Sequence, residues 1–381
     1  MRIAIISGGI PSTTFIDALI NGLAERGYTV TVIGKKRGTY LYSENVNTIE
    51  IPNKRISQFL FVLFNLWKMP FHAIKRIYKN SKSLTLAFFD YLYYLPIFMA
   101  KPDKVHIQWA ADLYNREILF DLFPDKIILS LRGAHINYTP IIKPEFGEFY
   151  KKVFPKVHKF HAVSKAIAKL ATSYGANKDR IHTIYTSIDD SILQQPIVNK
   201  KPQTHLTIIV VGRFHWIKGY NYLIDALAIV KQNGINFKMI LIAGNNIPEE
   251  INFSIHQHGL NSHIDILDNL PHEEVLKLIT KVDVMILSSV DEGIANVVVE
   301  SMAIGTPAIS SNCGGMPEAI EHGINGYLFE NRNTADLADK IITFYNLKTV
   351  ERKKFSINAK ETVKNKFSKN RMLDQFIQFY A

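Results

Sequence analysis

The sequence predicts an α/β protein of two doubly wound domains that face each other across a cleft. Three observations carry the prediction. The chain has 381 residues, of which 47% are hydrophobic and 21% charged, a globular composition long enough for two separate cores. Its opening has the pattern of a strand, a turn, a helix and a second strand. Residues 2–7 are a short apolar run ending in Gly8-Gly9. Phe15, Ile16, Leu19, Ile20 and Leu23 then recur at helical spacing within 14–26, Gly27 stops that helix, and residues 29–33 form the next strand. The third observation is that the same alternation starts afresh at Leu206, so each half is a βα series that builds its own sheet.

Further strands of the first half are predicted at 105–108, 126–131 and 159–163, with helices between. Two apolar stretches invite a membrane reading. Residues 59–67 are too short. Residues 84–100 approach the roughly 20 that a span requires, but they contain Asp90, Pro96, Tyr91, Tyr93 and Tyr94, which a core or amphipathic helix accommodates better. From 187 to 205 the pattern loosens around Pro196 and Pro202; this predicts a linker and places the domains at 1–190 and 205–366. In the second half, strands are predicted at Leu206–Val211, 237–243, Ile264–Leu267, Val284–Leu287 and 307–310. Helices are expected at 219–231, 248–258 and 273–281, after Gly293, twice beyond Thr334, and from a break at Phe367-Ser368 through Tyr380. No short repeat or low-complexity tract interrupts the series.

The formal net charge is +11, which points to an anionic partner: a phosphorylated small molecule, a membrane surface or a nucleic acid. No nucleic-acid motif accompanies the charge, so nucleic acid is not expected. The distribution is uneven. No Asp or Glu occurs in residues 51–89, while Lys54, Arg55, Lys68, Lys75, Arg76, Lys79 and Lys82 are interleaved with Phe59, Phe61, Phe64, Trp67, Phe71 and Tyr78. Such a segment either lies on an anionic membrane face or is a solvated helix face with a packed apolar side. The single cysteine, Cys313, excludes a disulfide framework and fits a reducing compartment. Met1 leads straight into a strand, without the charged segment and long apolar run of a signal peptide. The expected location is the cytoplasm, peripheral on the inner face of the cell membrane if the basic segment binds there.

Three loops carry the chemistry. Asp291-Glu292-Gly293-Ile294-Ala295-Asn296-Val297 follows a strand and runs into a helix. Gly293 permits a tight turn, and free N–H groups at the helix start favour an anion. Glu292 and Glu300 are eight residues apart. If that span were helical they would lie about 12 Å apart along the axis, beyond the roughly 5 to 9.5 Å of a hydrolytic carboxylate pair. An elongated ligand suits them better, with one carboxylate on sugar hydroxyls, the other on a ribose, and a diphosphate near the helix start. A loop acid and a helix-surface acid are the plainer alternative. In the second loop, Gly212-Arg213-Phe214-His215-Trp216-Ile217-Lys218-Gly219, Arg213 can clamp a phosphate with two hydrogen bonds and Lys218 adds a point charge. Both would stabilise charge on a departing diphosphate, unless they are no more than a solvated domain edge. The third loop, Asn312-Cys313-Gly314-Gly315-Met316-Pro317-Glu318, by itself reads as a connecting turn.

Taken in order, these loops resemble the donor domain of the retaining GT-B glycosyltransferases of family 4, over residues 206–330. The matching residues are Gly212-Arg213 with Lys218-Gly219, Glu292-Gly293 with Asn296-Val297, Glu300-Ser301-Met302-Ala303, Gly305-Thr306-Pro307, Gly314-Gly315-Met316-Pro317-Glu318, and Gly323 with Asn325-Gly326. The resemblance implies two Rossmann-like domains, with the last helix, 367–381, crossing back onto the first. It implies that Arg213 and Lys218 contact the diphosphate of the donor, Glu292 the transferred sugar and Glu300 the ribose. The main chain through Gly293, Ile294, Ala295 and Asn296, with Val297 beside it, would lie against phosphates and sugar, and Asn269 and Leu270 would meet the base. Retention of configuration is implied as well, with no essential metal and no cofactor beyond the nucleotide-sugar, the cations standing in for a metal.

The first half matches more loosely. Pro102-Asp103-Lys104-Val105-His106-Ile107-Gln108-Trp109 resembles a family segment that usually reads His-x-His, with Gln108 at the second His. Leu129-Ser130-Leu131-Arg132-Gly133-Ala134-His135 resembles the His-Gly-x-Asp segment, with Arg132 at the His position and His135 at the Asp position. Arg132 could stabilise phosphate charge and His135 could reach the cleft. His106 is either a cleft residue or a satisfied structural histidine. The first turn, Gly8-Gly9-Ile10-Pro11-Ser12-Thr13-Thr14, is similar to a variant in enzymes of exopolysaccharide assembly. Gly9, Ser12 and Thr13 are candidates there for holding a phosphate or sugar, or the hydroxyls cap the helix.

The function implied is transfer of a hexose from a UDP- or GDP-sugar to a glycan or lipid-linked saccharide, such as a polyprenyl-diphosphate-linked sugar, in surface polysaccharide assembly. No carboxylate is placed as a nucleophile, which favours a front-face route. A nucleotide-sugar epimerase of the same fold and a non-catalytic relative are the alternatives. Lys218 and Glu292 speak against the first, and the intact set Arg213, Lys218, Glu292 and Glu300 against the second.

Overall fold

The computed structural model describes residues 1–198, 204–244 and 246–381, in two compact units: 1–184 with 372–381, and 185–371. The first unit is built on β1 (Arg2–Ile10), β2 (Thr29–Lys36), β3 (Val46–Ile51), β4 (Lys104–Ile107), β5 (Ile127–Leu131), β6 (Lys159–Ala162) and β7 (Ile181–Thr183). All pair in parallel, in the order β3-β2-β1-β4-β5-β6-β7. β5 is buried at every position, as expected when helices cover both faces of a parallel sheet. Helix α1 (Thr14–Glu25) turns Ile16, Leu19, Ile20 and Leu23 inward, and the C-terminal helix Lys369–Tyr380 adds Met372, Leu373, Phe376, Phe379 and Tyr380 to the same core. The other core joins Ala4, Ile6, Val105 and Ile107 to residues of α3 (Phe71–Asn80) and α4 (Leu84–Ala100). Leu92, Tyr94, Leu95, Pro96 and Ile97 of α4 are buried, so α4 is a core helix. Among the described residues no helix is long and apolar enough to cross a membrane.

The second unit repeats the plan with β8 (Leu206–Val211), β9 (Phe237–Ile242), β10 (Ile264–Leu267), β11 (Val284–Leu287), β12 (Ala308–Ser311) and β13 (Gly326–Phe329). They are again all parallel, in the order β10-β9-β8-β11-β12-β13. The direction of winding reverses between β8 and β11, as it does between β1 and β4. In open α/β sheets, ligands bind beyond the carboxyl ends of the strands at such a reversal.

Several expectations need correction. β3, β7 and β13 were not anticipated. β3 and β7 expose or half-expose most of their residues at sheet edges, and β13 opens on a glycine, so none has a long apolar run to mark it. β1 does not end at a Gly8-Gly9 turn but continues to Ile10, with its register against β2 shifting between Ile6 and Gly8. The stretch expected to be a linker is partly folded into the second unit. Asp189 caps a short helix, Asp190–Gln194, and Ile188 and Ile192 enter the core. The units therefore divide after Ile184, and Phe367 packs against Tyr185 within the second. Pro202 lies outside the described residues.

Candidate functional site

The loops that leave β8 and β11 meet because these two strands pair at the reversal. Residues 212–218 follow β8 and residues 288–295 follow β11. Ser288 Oγ donates to the Lys218 carbonyl at 2.7 Å, and the Val290 N–H donates to the Ile217 carbonyl at 2.7 Å. Gly219 makes this approach possible. Its φ is 63°, and a Cβ there would lie 2.2 Å from the Ser288 carbonyl oxygen. The third loop closes in from β12. The Gly315 N–H donates to the Glu292 carbonyl at 3.1 Å, and a Cβ on Gly314, φ 46°, would lie 1.8 Å from that same oxygen. These two glycines let backbone pack on backbone, and the result is a fixed main chain at Lys218 and Glu292.

Lys218 Nζ lies 2.6 Å from Glu292 Oε1, and Ser289 Oγ donates to the same oxygen at 2.9 Å. The two side chains are 21% and 18% exposed, reachable from solvent yet desolvated enough for their charges to act strongly. Glu292 Oε2 makes no hydrogen bond among the described residues. Arg213 is exposed, and its guanidinium has neither an ion pair nor a hydrogen bond among the described residues. The helix Asn296–Ile304 begins with no side-chain cap at Ala295. The Ala295 N–H goes to Met316 Sδ at 3.4 Å, while the N–H groups of Gly293, Ile294, Asn296 and Val297 have no acceptor among the described residues. Unfilled donors at the positive end of a helix, entered from the loop whose Glu292 holds Lys218, are suited to a diphosphate.

Glu300 lies in the second turn of that helix. Its Oε1 is 3.1 Å from Nε2 of His272, the first residue of the helix His272–Ile279. Sequence reasoning missed His272, because no pattern around it connects it to an acid 28 residues away. Asn269 is exposed after β10, its amide beside Gly244 beyond β9, and Leu270 packs on the core below. The predicted donor residues thus all lie at the carboxyl edge of one sheet. The helical-rise estimate for Glu292 and Glu300 does not apply, because Glu292 stands in the loop ahead of the helix.

In the first unit His106 is fully buried, and its hydrogen bonds determine its tautomer. The Ile184 carbonyl can only accept, so His161 Nε2 carries the proton there, at 2.9 Å. His161 Nδ1 then accepts from Ser130 Oγ at 2.8 Å, Ser130 Oγ accepts from His106 Nε2 at 2.8 Å, and His106 Nδ1 accepts from the Tyr380 hydroxyl at 2.6 Å. Both rings are neutral. Burial, reinforced by the charge of Arg132, pushes the pKa of His161 down to about 3 and holds His106 well below its ordinary value. His106 is therefore a structural histidine and not a cleft residue.

Arg132 is half-buried. It donates to Gln108 Oε1 at 2.9 Å and lies 4.5 Å from the centroid of Phe15, and no carboxylate pairs with it among the described residues. Burial lowers its pKa to about 9. The ring of His135 stands edge-on to Trp109 at 5.6 Å, and burial lowers its pKa too. Arg132 Nε, Gln108 Nε2 and His135 Nδ1 are buried without a partner in the structure, a concentration of unmatched polar atoms that calls for an explanation. Thr13 is the N-cap of α1 but makes no side-chain capping bond, while the Ser12 N–H donates to Asp17 Oδ1 at 3.2 Å. The side chain of Arg37 lies across Gly9, 2.5 Å from where a Cβ would stand, so Gly9 does not present open backbone.

Two all-parallel, doubly wound units, with a cation–carboxylate pair on the switch-point loops of the second, define a GT-B architecture. Residues 192–362 match the family model for glycosyl transferases group 1, and residues 12–192 match that for glycosyltransferase family 4. The two models together span residues 12–362, and both describe glycosyltransferases. It is 25% identical over 240 residues to the amylovoran biosynthesis glycosyltransferase AmsK of Erwinia amylovora, covering 61% of this chain and 58% of AmsK. It is 36% identical over 242 residues to an uncharacterized glycosyltransferase of Methanocaldococcus jannaschii, covering 63% and 64%. The chain thus spans about six-tenths of the length of these relatives. The structure of HepE from Anabaena in complex with UDP-glucose is similar in fold, with a TM-score of 0.71 over 99% of this chain and 98% of that one, at 16% identity.

Proposed function

We propose that the protein transfers a hexose from a UDP- or GDP-sugar, with retention, to a glycan or lipid-linked saccharide in surface polysaccharide assembly, working in the cytoplasm. The observation that carries this reading is the Lys218–Glu292 pair at 2.6 Å, set on the switch-point loops beside Arg213 and the uncapped helix start. A diphosphate against that helix start takes hydrogen bonds from the free N–H groups and charge from Lys218 and Arg213. Lys218 is held in advance, its side chain by Glu292 and its carbonyl by Ser288, so little reorganisation is needed when charge develops. Glu292 Oε2 accepts a sugar hydroxyl, Glu300 accepts from the ribose while His272 orients it, and Asn269 and Leu270 face the base.

As the bond from the sugar to the diphosphate breaks, the electron pair goes to the leaving oxygen, where both cations and the helix start stabilise it. The acceptor hydroxyl attacks from the same face and loses its proton to that phosphate. Arg132 and His135, with Ser12 and Thr13, are the acceptor-side groups of this reading, and no metal is required by it. The UDP-glucose bound to HepE supports a nucleotide-sugar donor, and the role named for AmsK supports polysaccharide assembly. The test is a panel of UDP- and GDP-hexoses with released nucleotide as the readout. One donor is expected to be cleaved, faster when an acceptor saccharide is added. Cleavage of none, or epimerisation of UDP-GlcNAc without transfer, would contradict the reading.

A further inference from the structure

The helices between β3 and β4 present a surface that the donor site leaves unexplained. In α2 (Arg55–Asn65), Gln58 and Val62 are buried, while Ile56, Phe59, Leu60, Leu63 and Phe64 are exposed. At the helical angle of about 100° per residue these five span an arc of about 140°, opposite Gln58 and Val62. A helix on a water-facing surface carries polar residues there. Trp67, just beyond α2, is 78% exposed, and Phe71, opening α3, is 79% exposed. Leu84 and Phe89 at the start of α4, which packs on α2 and α3, are exposed as well. Single exposed apolar residues are ordinary, whereas a helix face of five, with more on the two helices packed beside it, marks a binding surface.

The charged residues of this segment are of one sign. Lys54, Arg55, Lys68, Lys75, Lys79 and Lys82 are exposed, and no acid interrupts residues 51–89. Asp121 pairs with Arg76 at 2.6 Å, and Asp90 accepts from Ser81 Oγ at 2.8 Å.

We propose that this face of the first unit docks on an anionic lipid bilayer. Phe and Trp rings suit the headgroup level, apolar side chains the acyl boundary beneath, and the surrounding lysines the lipid phosphates. A second copy of the chain fits less well, because pairing two such faces brings the lysine rims together.

The experiment is co-sedimentation of the full chain with phosphatidylcholine vesicles, with and without phosphatidylglycerol, at low and high salt. Binding is expected with phosphatidylglycerol and is weakened by salt. The exposed pair Lys75→Glu/Lys79→Glu is expected to weaken it about tenfold or more, and Phe64→Ser/Trp67→Ser should abolish it. Thermal stabilisation by UDP, which reads the donor site separately, should survive in both variants. Absence of binding to either vesicle, binding that both variants retain, or self-association through the patch in place of lipid binding would overturn the proposal.

Discussion

A Cβ at position 314 would stand 1.8 Å from the carbonyl oxygen of Glu292, so a methyl group in place of one hydrogen forces the two loops apart. Gly314→Ala is expected to push the loop that carries Glu292 away. The consequence is a loss of donor turnover of about 100-fold or more and a stability cost of about 1–3 kcal/mol, the range for backbone strain of this kind. Turnover and thermal unfolding of the same sample check both, and an active, unshifted variant would contradict the packing argument. At this scale the site was legible wherever a residue shares a loop with its glycine: Arg213 and Lys218 precede Gly219, and Glu292 precedes Gly293. His272 was not legible, because it reaches Glu300 from another helix. Nor was the burial of His106, since the same residue letter serves a cleft or a core.

At the scale of elements, the relay from Tyr380 through His106, Ser130 and His161 ties the last helix to β4, β5 and β6. It also makes stability depend on pH in a known direction. The pKa of His161 in the folded state, about 3, lies below the ordinary value near 6.5 of the unfolded chain. As pH falls, the unfolded chain takes up the proton first. The contribution is complete above about pH 6.5 and declines toward pH 3, by up to about 1.4 kcal/mol per pH unit for each such ring. His161→Gln should flatten the slope of unfolding free energy against pH by about that amount between pH of about 6 and 4. Urea titrations across that window measure it, and an unchanged slope would mean that the ring is not buried neutral. Strands such as β5 and β11 were legible because they are buried on both faces and read as unbroken apolar runs. β3 and β7 were not, because their edge positions leave them mixed in polarity.

For the whole molecule, the fold class was legible because the same βα alternation is written twice. The place where the chain passes from one unit to the other was not. Pro196 and the polar residues near it look like a linker, yet Ile188 and Ile192 pack into the second core, a contact that no local pattern announces. The basic charge of the chain likewise named an anion without choosing one, and the choice rests on how Lys218, Glu292 and the helix start are arranged. The measurement that tests this most directly is nucleotide release from the preferred sugar donor by the wild-type chain, by Lys218→Ala and by Glu292→Ala, with thermal unfolding of each. The arrangement predicts losses of about 100- to 1,000-fold in both variants, with folding intact. Full activity in both would contradict it.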